Sequence, residues 1–167
     1  MKQTIIFLNG ASSSGKTSIA NELLKLTPCL YLSVDEFISK QPSELLNDKD
    51  KLKVYFPEII SEFHKAIKEA FNKGNSLVID HVLEELEWYE ECKDLLKDNP
   101  VIWVSVKCPF KELERRELKR KDRNIGLAKL QYGTVYKDYK YDIQVDTSKI
   151  TPKNAAIKIL NYVSERV

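Results

Sequence analysis

The sequence has no apolar run approaching 18 residues, so no membrane span is expected. Cysteine is scarce, and Cys29, Cys92 and Cys108 stand alone without C-x-x-C spacing. That argues against a disulfide framework and a zinc site, and fits a reducing cytoplasm. An excess of one charge is missing too. The 27 Lys and Arg against 25 Asp and Glu leave +2, which by itself calls for no nucleic-acid partner. Lys2-Gln3 runs straight into an apolar segment, with no signal-peptide h-region and no small-residue cleavage site, so no secretory signal is expected. Internal repeats and low-complexity stretches are absent. What is present is 167 residues, 43% hydrophobic and 31% charged, which fits one soluble globular domain over 1–167.

Apolar runs alternate with amphipathic segments along that domain. Strands are expected at 3–9, 30–34, 77–79, 101–106 and 141–145, and helices at 15–26, 56–72, 86–96, 110–121, 127–136 and from 152 onward. Residues 40–54 are polar, with Pro42, Asn47 and Asp48, and read as a surface loop or short helices. Several strands are apolar throughout, which predicts a parallel sheet covered on both faces. Ligands then bind beyond the carboxyl ends of the strands.

At the first of those ends lies Gly10-Ala11-Ser12-Ser13-Ser14-Gly15-Lys16-Thr17, followed by Ser18. This is G-x-x-x-x-G-K-[ST] between a strand and a helix, the context of a phosphate-binding P-loop. The glycines let successive N–H groups point at phosphate oxygens, and the helix N-terminus adds partial positive charge. Lys16 would reach the β- and γ-phosphates, and the Thr17 hydroxyl would hold magnesium. A nucleoside triphosphate is the expected ligand, ATP or GTP.

Asp35 follows the second strand. It suits either a base for a substrate hydroxyl or an N-cap for a helix starting near Glu36. Asp80 ends the third strand and suits a magnesium ligand, a substrate contact or a turn residue. His81 and His64 carry no catalytic signal of their own, and His64 reads as a surface or packing residue. Residues 111–123 hold seven basic and four acidic side chains, with Arg116, Arg120 and Arg123 on one helical face. That face suits either transition-state charge at the γ-phosphate or a solvated run of Glu–Arg pairs.

With these residues placed, the chain resembles the chloramphenicol phosphotransferase family, small P-loop kinases that phosphorylate an antibiotic hydroxyl. The likeness rests on Leu8-Asn9-Gly10 with Ser12-Ser13 and Gly15-Lys16, on Val34-Asp35 with Phe37-Ile38, on Ile79-Asp80 before Val82, and on Trp103-Val104 with Val106 and Cys108. It is densest at Arg116-Glu117, Arg120, Asp122-Arg123, Gly126, Ala128, Gln131, Tyr141-Asp142 and Val145-Asp146-Thr147. The resemblance implies a three-layer αβα P-loop, nucleotide-kinase-like fold with a five-stranded parallel sheet and a small helical lid over about 111–138. It implies ATP and Mg2+ as cofactors, with residues 10–18 and Arg116, Arg120 and Arg123 at the triphosphate. It implies Asp35 as the base with Lys16, Arg120 and Arg123 as catalytic partners, and Asp35, Phe37 and Asp80 beside a small-molecule hydroxyl acceptor.

Two stretches differ from the family's pattern. His81 stands where a second acidic residue is expected, and residues 39–56, which follow the proposed base, are shorter and rich in Lys and Asp. Chloramphenicol is therefore one acceptor to expect. The alternatives are a nucleoside, nucleotide, sugar or nucleotide-sugar, or a nucleotide-binding regulatory or toxin-like module without an acceptor. Monomer and homo-oligomer remain equally open.

Overall fold

Five short runs of β-branched and large apolar residues pair into one sheet. In the computed structural model, which describes residues 2–119, 126–137 and 139–166, they are β1 (Ile5–Asn9), β2 (Leu30–Ser33), β3 (Leu77–His81), β4 (Val101–Lys107) and β5 (Ile143–Asp146). All neighbouring pairs are parallel, in the order β2-β3-β1-β4-β5. Side chains alternate across a strand, so β1 feeds two cores. Ile6 and Leu8 join Ile19, Ala20 and Leu23 of α1 (Lys16–Leu26) and Ile159 and Val163 of α8 (Pro152–Arg166) on one face. Ile5 and Phe7 meet Ile60, Phe63 and Ile67 of α4 (Lys49–Asn72) and Tyr89 and Cys92 of α5 (Leu86–Leu96) on the other. The layers are helix, sheet, helix. No helix among the described residues is long and apolar enough to cross a membrane.

The remaining helices border the carboxyl ends of the strands. They are α2 (Val34–Ser39), α3 (Ser43–Leu46), α6 (Phe110–Lys119) and α7 (Leu127–Tyr132). Strand order reverses direction at β1, so the loop after β1 opens into the crevice where such sheets take ligands.

Three local expectations shift. Helix α4 starts at Lys49, two turns before the apolar spacing begins. Asp48 caps it, its carboxylate accepting from the N–H groups of Asp50 (3.2 Å) and Lys51 (3.1 Å). Pro57 lies inside this helix and has no N–H to donate, and the exposed helix runs through it. Strand β3 continues through Asp80 and His81, which pair with Leu8 and Asn9, so two polar residues that read as a strand end are buried strand. Helix α2 begins at Val34 with Ser33 in the N-cap position, so Asp35 sits one residue inside the helix and is not its cap.

Candidate active site

The loop between β1 and α1 is fixed by its glycines. A Cβ on Gly10 would stand 2.4 Å from the Val106 carbonyl oxygen and 2.8 Å from Ser14 Oγ. Gly15 holds φ +100, the left-handed region that favours glycine, and starts α1. Ser13 also takes a positive φ, 63, a conformation that costs an L-residue about 1–2 kcal/mol. Gly10→Ala must push back a strand carbonyl. It is expected to lower stability by about 1–3 kcal/mol and to weaken nucleotide binding. Thermal denaturation and titration with a fluorescent ATP analogue check the two effects.

Inside the loop, the buried hydroxyls of Ser13 and Ser14 have no hydrogen-bond partner in the protein. Ser13 lines the cavity at this loop, where an orphaned hydroxyl fits a phosphate oxygen, while Ser14 is fully buried beside Gly10 and lines neither opening. Lys16 is 7% exposed, and its ammonium donates to the carbonyls of Gly10 (2.7 Å) and Ala11 (3.2 Å), 3.9 Å from an Asp80 oxygen. The Thr17 hydroxyl donates to Asp80 Oδ2 at 2.7 Å, and the Tyr31 hydroxyl donates to the same oxygen at 3.1 Å. Burial, with the Asp80 charge beside it, pushes the Tyr31 phenol up to about 12, so it stays a donor. A hydroxyl and a carboxylate are hard oxygen ligands, and a pair of them with phosphate and water completing the shell suits Mg2+. Among the described residues no three His, Cys, Asp or Glu side chains gather as a metal cage.

Asp35 joins this group. One cavity is lined by Ser13, Gly15, Lys16, Thr17 and Ser18 of the loop and α1, by Val34 and Asp35 of α2, and by Asp80 of β3 and Val82 just after it. Phe37 does not line it. Its ring packs 5.4 Å from Phe63, on the core side of α2.

A second groove, lined by Ser13, Gly15, Ser18, Arg116, Thr147 and Pro152, continues from the loop toward the start of α8. Arg116 spans it. Its guanidinium donates to Glu112 (2.8 Å), to the Thr147 hydroxyl and carbonyl (2.9 Å each) and, at 3.4 Å, to the carbonyls of Ser13 and Ser14. Hydrogen bonds from Arg115 and Arg116 hold the Glu112 carboxyl down at about 2. Arg120 and Arg123 lie outside the described residues.

Ala11 and Ser12, expected at the phosphates, belong elsewhere. The Ala11 N–H donates to Tyr136 Oη at 3.2 Å, and that hydroxyl donates to the Val106 carbonyl at 2.8 Å. The Ser12 N–H donates to Gln131 Oε1 at 2.7 Å, and the Gln131 amide donates to Glu84 at 2.8 Å. Burial raises the Glu84 carboxyl, and the Gln131 bond opposes that rise. The first half of the loop is thus gripped from behind by α7 and the turn after it, while Ser13 and Gly15 to Ser18 line the cavity. These contacts span 119 and 125 residues and leave no local signal in the sequence.

His64 and His81 were the other residues that sequence reasoning undervalued. Both are buried, at 1% and 0% exposure, and their Nε2 atoms lie 3.0 Å apart. Burial lowers the His64 imidazole, against a raising effect of Glu91. Burial, then His64 and Lys16, lower His81 well below its usual value of 6.5. The native protein therefore refuses protons that the unfolded chain binds below about pH 6.5, and stability falls as pH drops through that value. Each imidazole contributes a slope of up to about 1.4 kcal/mol per pH unit. The urea midpoint is expected to fall between pH 7 and 5.5, and a flat midpoint over that range would contradict the neutral assignment.

A five-stranded parallel sheet between helices, with a G-x-x-x-x-G-K-T loop at its point of strand reversal, defines the P-loop kinase class. Within it, the chain belongs to the chloramphenicol phosphotransferase-like family, whose model matches residues 3–164, and it is a small-molecule phosphotransferase. A Mycobacterium tuberculosis protein provisionally named an O-phosphotransferase is 27% identical over 168 residues, covering 86% of this chain and 75% of its own. The fold is also that of the M. tuberculosis APS kinase CysC, solved with AMPPNP and APS (TM-score 0.76, 14% identity, 98% of both chains). An Acinetobacter baumannii shikimate kinase solved with shikimate is similar too (TM-score 0.72, 17% identity, 99% of this chain and 96% of that one).

Proposed function

We propose that the protein moves the γ-phosphoryl group of ATP to a hydroxyl of a small, uncharged acceptor, with chloramphenicol the first to test. One observation carries this reading: Lys16, Thr17, Asp35 and Asp80, from three different strand ends, line a single cavity. The acceptor hydroxyl attacks Pγ, the bond from Pγ to the β–γ bridging oxygen breaks, and ADP leaves. Asp35 takes the hydroxyl proton. Ser13 to Ser18 cradle the phosphates, and Lys16 turns from the loop carbonyls to the β- and γ-oxygens. Thr17 and Asp80 would hold Mg2+, which supplies charge neutralisation at the phosphates when bound. Arg116 ties the loop to Thr147 and borders the nucleotide groove, and Arg120 and Arg123 serve the transferred group from the lid.

Arginine distribution supports an uncharged acceptor. The chain has no arginine before Arg115, so the stretch from Asp35 to about Phe56, where we place the acceptor, offers no guanidinium fork for a carboxylate or phosphate. The test is a mass-spectrometric search for products 80 Da heavier, the mass of an added HPO3 group. The protein is incubated with ATP, magnesium and a panel of neutral hydroxyl antibiotics, nucleosides, sugars and their carboxylated or phosphorylated counterparts. Phosphorylation confined to anionic compounds would overturn the acceptor class. Tight ATP binding with no product from any acceptor would favour a regulatory module instead.

A further inference from the structure

The chain has two histidines, and both are buried in one string of hydrogen bonds that runs from behind the cavity to the surface at Glu91. His81 ends β3 with its ring edge-on to Phe63 at 5.3 Å and stacked 6.5 Å from Trp88. The Val82 N–H donates to His81 Nδ1 at 2.8 Å. That donor fixes the ring's tautomer, because Nδ1 must carry a lone pair and Nε2 the proton. His81 Nε2–H then donates to His64 Nε2 at 3.0 Å. His64 must therefore keep its own proton on Nδ1, which donates to Glu91 Oε2 at 2.6 Å. Ser61 closes the string, its hydroxyl donating to Glu91 Oε1 at 2.6 Å. One placement of protons satisfies every contact, and a fully satisfied buried network specifies a single geometry.

The inner end of the string is the cavity wall. Val82 lines the cavity with Lys16, Asp35 and Asp80. The next N–H, of Leu83, donates to Asn9 Oδ1 at 2.9 Å, and Glu84 beyond it holds Gln131, which holds the Ser12 N–H. Three side chains thus fix the chain from 82 to 84, and His81 is the one that reaches back to α4 and α5.

We infer that His81 and His64 are positioning residues: with Glu91 and Ser61 they clamp residues 80–82 against α4 and α5, keeping Asp80 and Val82 in place at the cavity. The inference rests on the kinase reading for Asp80's task, and on hydrogen-bond geometry alone for the clamp. The clamp is separable from packing. His64→Leu keeps the bulk and breaks both ring contacts. His64→Gln restores one acceptor toward His81 and one donor toward Glu91, because the amide oxygen and nitrogen are spaced like the two ring nitrogens.

Two measurements test it on the full chain. The first is the Mg2+ concentration that half-saturates the magnesium-dependent gain in binding of a fluorescent ATP analogue. His64→Leu should raise it about tenfold, the usual size of an outer-shell loss, and leave metal-free nucleotide binding unchanged. His64→Gln should restore it. The second is amide hydrogen exchange at Val82, which should speed up at least about tenfold in His64→Leu and recover in His64→Gln, since it reads local opening. Should His64→Leu not fold, Glu91→Ala cuts the string at its half-exposed end and takes the same two measurements. A folded variant with wild-type exchange at Val82 overturns the clamp whatever the nucleotide does. So does a His64→Gln variant as impaired as His64→Leu. If the wild-type protein binds no nucleotide while Val82 follows the expected pattern, the kinase reading falls and the clamp stands.

Discussion

Asp35→Asn lowers phosphoryl transfer to the acceptor by about 10²–10⁴-fold and leaves nucleotide affinity nearly unchanged, if Asp35 is the base. The substitution keeps the size and shape of the side chain and removes its ability to take a proton. Asp35 lines the same cavity as Lys16, Thr17 and Asp80, so the proton it would accept belongs to a group reaching that cavity. It is exposed, and Ser33 occupies the N-cap position of α2, so the substitution removes no cap. Initial rates at saturating ATP separate kcat from KM, and the loss should fall on kcat. Full turnover by the Asn variant on a compound that the wild type phosphorylates would remove Asp35 from the role of base.

Lys16→Met is the second large effect. Methionine preserves most of the stem and deletes the ammonium. That ammonium is buried, bonded to two loop carbonyls and 3.9 Å from Asp80. Once turned to the phosphates, a charge placed at the transferring phosphoryl group is worth about 10²–10³ in rate. Turnover should fall by that factor, with weaker ATP binding beside it. Removing one partner of a buried pair costs about 3–5 kcal/mol, softened here because Asp80 keeps its bonds from Thr17 and Tyr31, so circular dichroism must show the variant folded before its rate is read. A Met variant with wild-type turnover would contradict the donor half of the site.

These two residues were legible in the sequence for a shared reason. Each follows the carboxyl end of a strand, Lys16 across the loop after β1 and Asp35 in the helix after β2, and in a parallel sheet those ends lie on one side. The loop from Gly10 to Thr17 is legible for a stronger one, since its spacing and its strand–helix context are both local. The parallel sheet and its two covered faces followed from continuous apolar runs at 77–79 and 101–106, while the order of the strands had no signal in the sequence. What escaped was non-local. Gln131 and Tyr136 reach the loop from more than a hundred residues away, and a glutamine in a short helix or a tyrosine in the turn after it announces nothing. Asp80 and His81 look like a strand end because they are polar, yet β1 pairs with them and hydrogen bonds satisfy them in the interior. The first two turns of α4 have no apolar stripe, and their helicity depends on the Asp48 cap and on the rest of the helix. Arg116 was found at its helical face, with partners on the loop and at Thr147 that spacing alone does not name.

Helix α4 carries one more consequence. Its buried residues all lie between Ile59 and Phe71, and α3 before it contributes none. The stretch from Lys40 to Tyr55 therefore hangs on a helix whose anchored part begins later, with Phe56 packed against Trp88 as the hinge of the two regions. Changes there cost the core nothing. If that stretch contacts the acceptor, it could be exchanged, and with it the compound recognised, without disturbing the phosphate loop or the sheet. Chimeras joined at Ile59 should then fold as readily as their parents.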